Sequence, residues 1–82
     1  MPQEQTTLFN LDEIDTELTR KIIKEVYSAL KERGYNPTNQ IVGYLVSGDP
    51  GYISNHKESR NKITKFDRSK IIEVLLKEFL GN

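Results

Sequence analysis

Twenty consecutive residues, Gly34 to Ile53 (GYNPTNQIVGYLVSGDPGYI), constrain the fold more than any other part of the chain. Gly34 reads as a helix stop and Asn36-Pro37 as a helix start, and the same grammar recurs at Gly48, Asp49 and Pro50. Glycine supplies the positive φ that closes one helix, and proline suits the first turn of the next, where its missing N–H goes unused. The backbone therefore turns sharply at two fixed places, with the short apolar run IVGYLV between them. Nothing in the stretch is a nucleophile, a metal cage or a phosphate cradle. It specifies a shape, which implies that function resides in a surface.

The flanking segments read as helices. Leu18, Ile22, Ile23, Val26, Tyr27 and Leu30 recur with a 3.6-residue period, predicting a helix from about Thr16 to Arg33. Asp15 or Thr16 would cap it, Glu17 and Lys21 would pair one turn apart, and Gly34-Tyr35 would end it in a Schellman motif. A second helix begins at Asn36-Pro37 and carries Ile41, Tyr44 and Leu45 on one side. A strand is the rival for IVGYLV, but the caps on both sides are complete and no partner strand is visible. Asp49-Pro50 opens a short turn holding Tyr52 and Ile53. A third helix, about 56–65, takes Asn55 as cap with Glu58 at the third position. The fourth runs from Arg68 to Leu80, with Asp67 as cap and a staple of Phe66 on Ile71. Its apolar side chains (Ile71, Ile72, Val74, Leu75, Leu76, Phe79, Leu80) cover more than one face, and the surplus argues for self-association. The expected fold is all-α, a small bundle of four to five short helices that forms a homodimer. Residues 1–14 are expected to be a flexible N-terminal arm, and residues 15–82 the helical domain.

Composition narrows the chemistry. With 82 residues and 35% apolar content, one small core is all the chain can build. Without cysteine and with a single histidine, it has no disulfide framework and no zinc site of its own. No cofactor is expected, no run approaches the roughly 20 apolar residues of a membrane span, and a cytoplasmic location is expected. The net charge of zero is unevenly spread. Residues 1–17 hold five acids and no base, whereas residues 54–70 hold six bases against two acids. No GxGxxG, P-loop or nucleophile elbow occurs, so no catalytic or metal residue is assigned.

The run from GYNP through NQIVGYL, SGDP and the spaced HK-x-x-RN to IIEVLLKEFL, with VYSALKERGYNP and FNLD before it, resembles the IreB family of small regulatory phosphoproteins of Gram-positive bacteria. The resemblance implies an all-helical homodimer without enzymatic activity. It implies phosphorylation of an N-terminal threonine, three residues before the Phe of FN, which is Thr6 here with Thr7 adjacent. The implied partners are a membrane Ser/Thr kinase that senses cell-wall material, its phosphatase, the Clp protease machinery and a peptidoglycan-precursor enzyme. In that scheme the unmodified protein promotes Clp-dependent loss of the enzyme that commits UDP-N-acetylglucosamine to peptidoglycan. Phosphorylation relieves this effect, tuning resistance to wall antibiotics. The chain departs from the pattern at Ser54-Asn55, where Pro-Arg is usual, at Glu58-Ser59, where Asp-Ala is usual, and at Thr38, where Ile is usual.

The basic segment supplies the candidate contact residues His56, Lys57, Arg60, Asn61 and Arg68. By composition alone a solvated helix face explains them; the sharper reading is a docking surface for an acidic partner or a phosphorylated arm. Arg60 leads, because a guanidinium grips carboxylate or phosphate through two parallel hydrogen bonds. Arg60→Ala is accordingly expected to keep the fold and lose regulation. His56, beside a cap, reads as locally hydrogen-bonded, and Tyr35, Tyr44 and Tyr52 as core and corner packing. The alternative function is a small dimeric nucleic-acid-binding protein using residues 54–70. Zero net charge and only two arginines in that segment weigh against it, and no nucleic-acid partner is expected.

Overall fold

A computed structural model describes residues 11–81 and is helical throughout, with no strand among the described residues. Helix α1 spans Leu11–Glu32, α2 Pro37–Ser47, α3 Ser59–Ile63 and α4 Arg68–Leu80. Two short 3₁₀ turns, Pro50–Tyr52 and His56–Glu58, connect α2 to α3.

The local signals at the first corner act as expected. Gly34 sits at φ 91°, its N–H donates to Lys31 O at 3.0 Å and the Tyr35 N–H to Leu30 O at 3.0 Å. These are the paired bonds of a Schellman ending. Asn36 Oδ1 then accepts from the Asn39 N–H at 3.0 Å with Pro37 in the first turn, so IVGYLV is helical rather than extended. Gly48 closes α2 at φ 79° through Tyr44 O, and Asp49 Oδ1 accepts from Gly51 N–H at 2.8 Å to open the following turn. Gly81 ends α4 in the same left-handed conformation.

Five expectations change. The helix α1 already includes Leu11, so residues 11–14 form a helical turn and not part of a loose arm. Asp15 and Thr16 therefore lie inside the helix instead of capping it; Asp15 O accepts from Thr19 Oγ1 at 2.7 Å, which satisfies a fully buried hydroxyl. Glu17 pairs with Arg20, three residues on. Asp67 makes no side-chain cap bond, and only its carbonyl serves α4, accepting from Ile71 N–H at 3.0 Å. The third helix is broken: residues 56–58 form a 3₁₀ turn with two left-handed residues, and the α-helix proper starts at Ser59.

The core gathers Val26 and Leu30 of α1, Ile41 and Tyr44 of α2, Ile53 of the corner, Ile63 of α3 and Ile71 of α4, with Ile23, Leu45 and Phe66 packed against it. Val74 of α4 is buried as well. Every element contributes, so none holds its position alone. Helices α1 and α4 run alongside each other in the same direction. Lys70 near the start of α4 pairs with Asp12 near the start of α1, and Arg20 further along pairs with Glu78.

The two halves of the apolar pattern on α1 and α4 separate cleanly. Val26 and Leu30 are buried, but Leu18 is 53% exposed and Tyr27 40%. On α4, Ile71 and Val74 face the core while Ile72, Leu75, Leu76, Phe79 and Leu80 remain exposed.

Gly48 and Gly34 offer a test of the corner. An added Cβ meets nothing within 4 Å at Gly34, but at Gly48 it lies 2.8 Å from the Arg68 guanidinium. Gly34→Ala should cost about 1 kcal/mol of left-handed strain. Gly48→Ala should cost that plus about 1 kcal/mol for the displaced Arg68 hydrogen bond. Urea midpoints measure both, and an excess at Gly48 that persists in an Arg68→Ala background would refute the assignment.

Candidate functional site

The densest grouping of polar side chains lies where the chain passes from the Asp49 turn into α3. Ile53 is fully buried there, which obliges its neighbours to bring polar backbone inside with it. Arg60 answers that demand: its Nε–H donates to Ile53 O at 2.8 Å and to Pro50 O at 3.2 Å. Arg68 plays the same part at the preceding corner, donating from Nη1 to Leu45 O at 3.0 Å. Both guanidinium groups therefore brace backbone. That gives Arg60 a structural duty that the expectation of a dispensable contact residue did not include.

Residues 54–61 form a hydrogen-bonded knot. Ser54 N–H donates to Gln40 Oε1 at 2.9 Å. Asn55 Oδ1 accepts from Arg60 N–H at 3.1 Å and from Asn61 N–H at 3.4 Å, so Asn55 caps α3 from across the turn and not the helix expected at 56. Ser59, 1% exposed, donates from Oγ to His56 O at 2.7 Å. Glu58 accepts from the Asn61 side chain in place of reaching back to Asn55. Four of these residues (Ser54, Asn55, Glu58, Ser59) stand where the chain departs from the pattern it resembles. The lost basic residue at position 55 is replaced by a cap.

The knot holds two consecutive non-glycine residues in the left-handed region, Lys57 at φ 55°, ψ 35° and Glu58 at φ 63°, ψ 24°. Each such residue costs of order 1–2 kcal/mol, so the bonds around them must offset the strain. Lys57 Nζ lies 2.8 Å from Glu32 Oε1, tying the turn to α1. His56 Nε2 is buried without a hydrogen-bond partner, 3.9 Å from Glu32 Oε2. The expected local hydrogen bonding of His56 therefore falls on its backbone, with N–H to Ser54 Oγ at 3.4 Å and O to Ser59 Oγ, and not on Nε2.

The structure thus brings His56, Lys57, Arg60 and Asn61 together, while Arg68 braces the neighbouring corner. Thr6 and Thr7 lie outside the described residues. The basic segment is largely paired within the molecule: Lys57 with Glu32, Lys62 with Glu25, and Lys70 with Asp12, Asp15 and Glu73. Lys70 counts among the six bases read as a solvated face or docking surface, but its work is internal: besides the local Glu73 it pairs with Asp12 and Asp15, 58 and 55 positions away, which leave no local signal. Its side chain, 12% exposed, lies 2.9 Å from Asp12 and 3.9 Å from Asp15. The hydrogen bond from Lys70 and its positive charge hold the Asp12 carboxyl below the usual carboxylate range, and that bond raises Lys70 in turn. Lys77 lowers Glu73 by the same means, and Lys57 lowers Glu32.

The described residues hold no group of three or more His, Cys, Asp or Glu suited to a metal ion, and no helix long and apolar enough to cross a membrane. Strained basic turn, braced corners and outward apolar side chains characterise a small helical protein. Residues 4–81 match the model of the IreB regulatory phosphoprotein, and the chain belongs to that family. Its role is accordingly that of a regulatory phosphoprotein.

Two measurements follow from the geometry. Arg60→Ala and Arg60→Lys should both lower stability by about 1–2 kcal/mol, since neither replaces an Nε donor shared by two carbonyls; urea midpoints equal to wild type would exclude the brace. Asp12, Glu32 and Glu73 titrate lower in the folded chain, so their contribution is complete above about pH 5, past the ordinary carboxylate values, and lost as pH falls through their folded values. Amide protection factors in the first turns of α1, which divide out the intrinsic pH dependence of exchange, should fall on acidification in the wild type and be low already at neutral pH in Lys70→Met. Slow exchange in that variant would show that Lys70 does not hold the turn.

Proposed function

We propose that this protein is a dimeric regulator of peptidoglycan synthesis, switched by phosphorylation of Thr6, with Thr7 as the neighbouring acceptor. Its kinase is a membrane Ser/Thr kinase responsive to cell-wall material, opposed by a phosphatase. The unmodified form promotes Clp-protease turnover of the first committed peptidoglycan-precursor enzyme, and phosphorylation relieves that effect. The protein works in the cytoplasm and without catalytic activity of its own. The observation that carries the reading is the family match, whose span of residues 4–81 includes both threonines.

The electrostatics of α1 support a switch at this position. A phosphate brings about −1.5 to −2 charges and three acceptor oxygens. It would arrive four or five residues before Leu11, next to a helix start where Lys70 already serves Asp12, Asp15 and Glu73. One ammonium cannot balance a further dianion, so modification either draws Lys70 away from α1 or repels the acids of its first turn. Both outcomes change the charge that a partner meets.

The exposed apolar residues support the dimer. Phe79 is 85% exposed, Leu80 62% and Leu76 54% on α4, and Leu11 is 77% exposed on α1. Side chains of this size left in water on two neighbouring helices are the mark of a surface that another molecule covers.

Pull-downs from cell extract with unmodified protein and with protein phosphorylated at Thr6 should differ in the Clp machinery and precursor enzyme they retain. Identical captures would end the proposed switch. Leu76→Asp and Phe79→Asp should halve the sedimentation mass and keep the helical circular dichroism. A wild-type chain that already sediments as a monomer at micromolar concentration would exclude the dimer.

A further inference from the structure

The left-handed turn at Lys57 faces a cleft of about 350 Å³, within the size range of small-ligand sites. Lys24, Glu25, Ala29 and Glu32 of α1 line one side, and Lys57 and Lys62 the other. Three lysines and two glutamates thus line it, a formal excess of one positive charge around a partly apolar wall, with Lys62 Nζ 3.6 Å from Glu25. The carboxylates are not equally committed. Glu32 lies 2.8 Å from Lys57 Nζ through one oxygen, and its other oxygen is 3.9 Å from His56 Nε2, a buried nitrogen with no hydrogen bond. If Glu32 lost Lys57, a movement of about 1 Å would bring it within hydrogen-bond range of that nitrogen. The counter-ion of Lys57 has a second seat already built.

We infer that this cleft binds a phosphate monoester, whose dianionic oxygens replace Glu32 on Lys57, with Lys24 and Lys62 beside it, while the Glu32 carboxylate moves onto His56 Nε2. A dianion with three acceptor oxygens suits three ammonium groups better than a single carboxylate does. The exchange also gives that buried nitrogen a hydrogen bond, so binding improves the internal bonding of the protein as well as its external charge balance. The left-handed Lys57 is what aims its ammonium across the cleft at α1.

The inference stands on the cleft and does not require phosphorylation of this chain. If the phosphate is carried on Thr6, it comes from another molecule. Five residues from Thr6 to Leu11 span at most about 18 Å, whereas Glu32 lies 21 residues further along α1, about 32 Å.

The test is an NMR titration of the full chain at constant ionic strength with inorganic phosphate, and separately with a peptide of residues 1–11 carrying phosphothreonine at position 6. The expected result is a saturable shift of the Lys57 and Glu58 amides and the His56 ring with one or both probes. A tighter response to the peptide identifies a peptide-borne group, and an equal one a free anion. Glu32→Gln, which removes the competing charge, should bind about threefold tighter or more and lose the His56 response. Lys57→Asn, with a residue that tolerates the left-handed conformation, should bind about tenfold weaker with core resonances unmoved. Shifts spread evenly over Lys21, Lys31 and Lys77, or Glu32→Gln binding no tighter than wild type, would overturn the site.

Discussion

A chain this short has to reverse direction repeatedly while keeping one core, and each reversal brings backbone carbonyls inward with the apolar side chains. The two arginine braces meet that constraint. Arg60 collects the carbonyls of Pro50 and Ile53, and Arg68 takes that of Leu45. Because Ile53 belongs to the same cluster as Leu30, Ile41, Ile63 and Ile71, the braces fix how all four helices meet. A lysine could supply the charge, but not a donor set close to the stem of the side chain.

The first corner and α2 were legible because their signals are local. A Schellman pair needs a glycine and the residue after it, and an Asx-Pro start needs two neighbours; Gly34-Tyr35 and Asn36-Pro37 are those pairs. The surplus apolar surface of α4 was legible for the same reason, since seven large side chains in thirteen positions cannot share one stripe. The start of α1 was not. Asp12, Glu13 and Asp15 look like an acidic tail until Lys70 is beside them, and a partner 58 residues away leaves no trace in the surrounding residues. The left-handed pair was hidden as well, because neither lysine nor glutamate advertises positive φ, and the knot of Ser54, Asn55 and Ser59 that enforces it is assembled only by folding.

The candidate site shows the same division. Of the candidate contact residues, His56, Lys57, Arg60 and Asn61 lie in one turn and Arg68 at the neighbouring corner, and each has a different role within the molecule. Arg60 faces inward to backbone, Asn61 steadies Glu58, and Lys57 and His56 share one carboxylate on α1. Residue type says nothing of these roles, which tertiary partners decide.

Ion pairs join α1 to α4 at two levels: Lys70 with Asp12 and Asp15 near one end, and Arg20 with Glu78 further along. Asp12 and Asp15 share one face of α1, so a slide approaching one helical turn, 5.4 Å, would hand Lys70 from one carboxylate to the other while Arg20 parts from Glu78. The alignment of the two parallel rods is therefore pinned at the Arg20 end and forgiving at the Lys70 end.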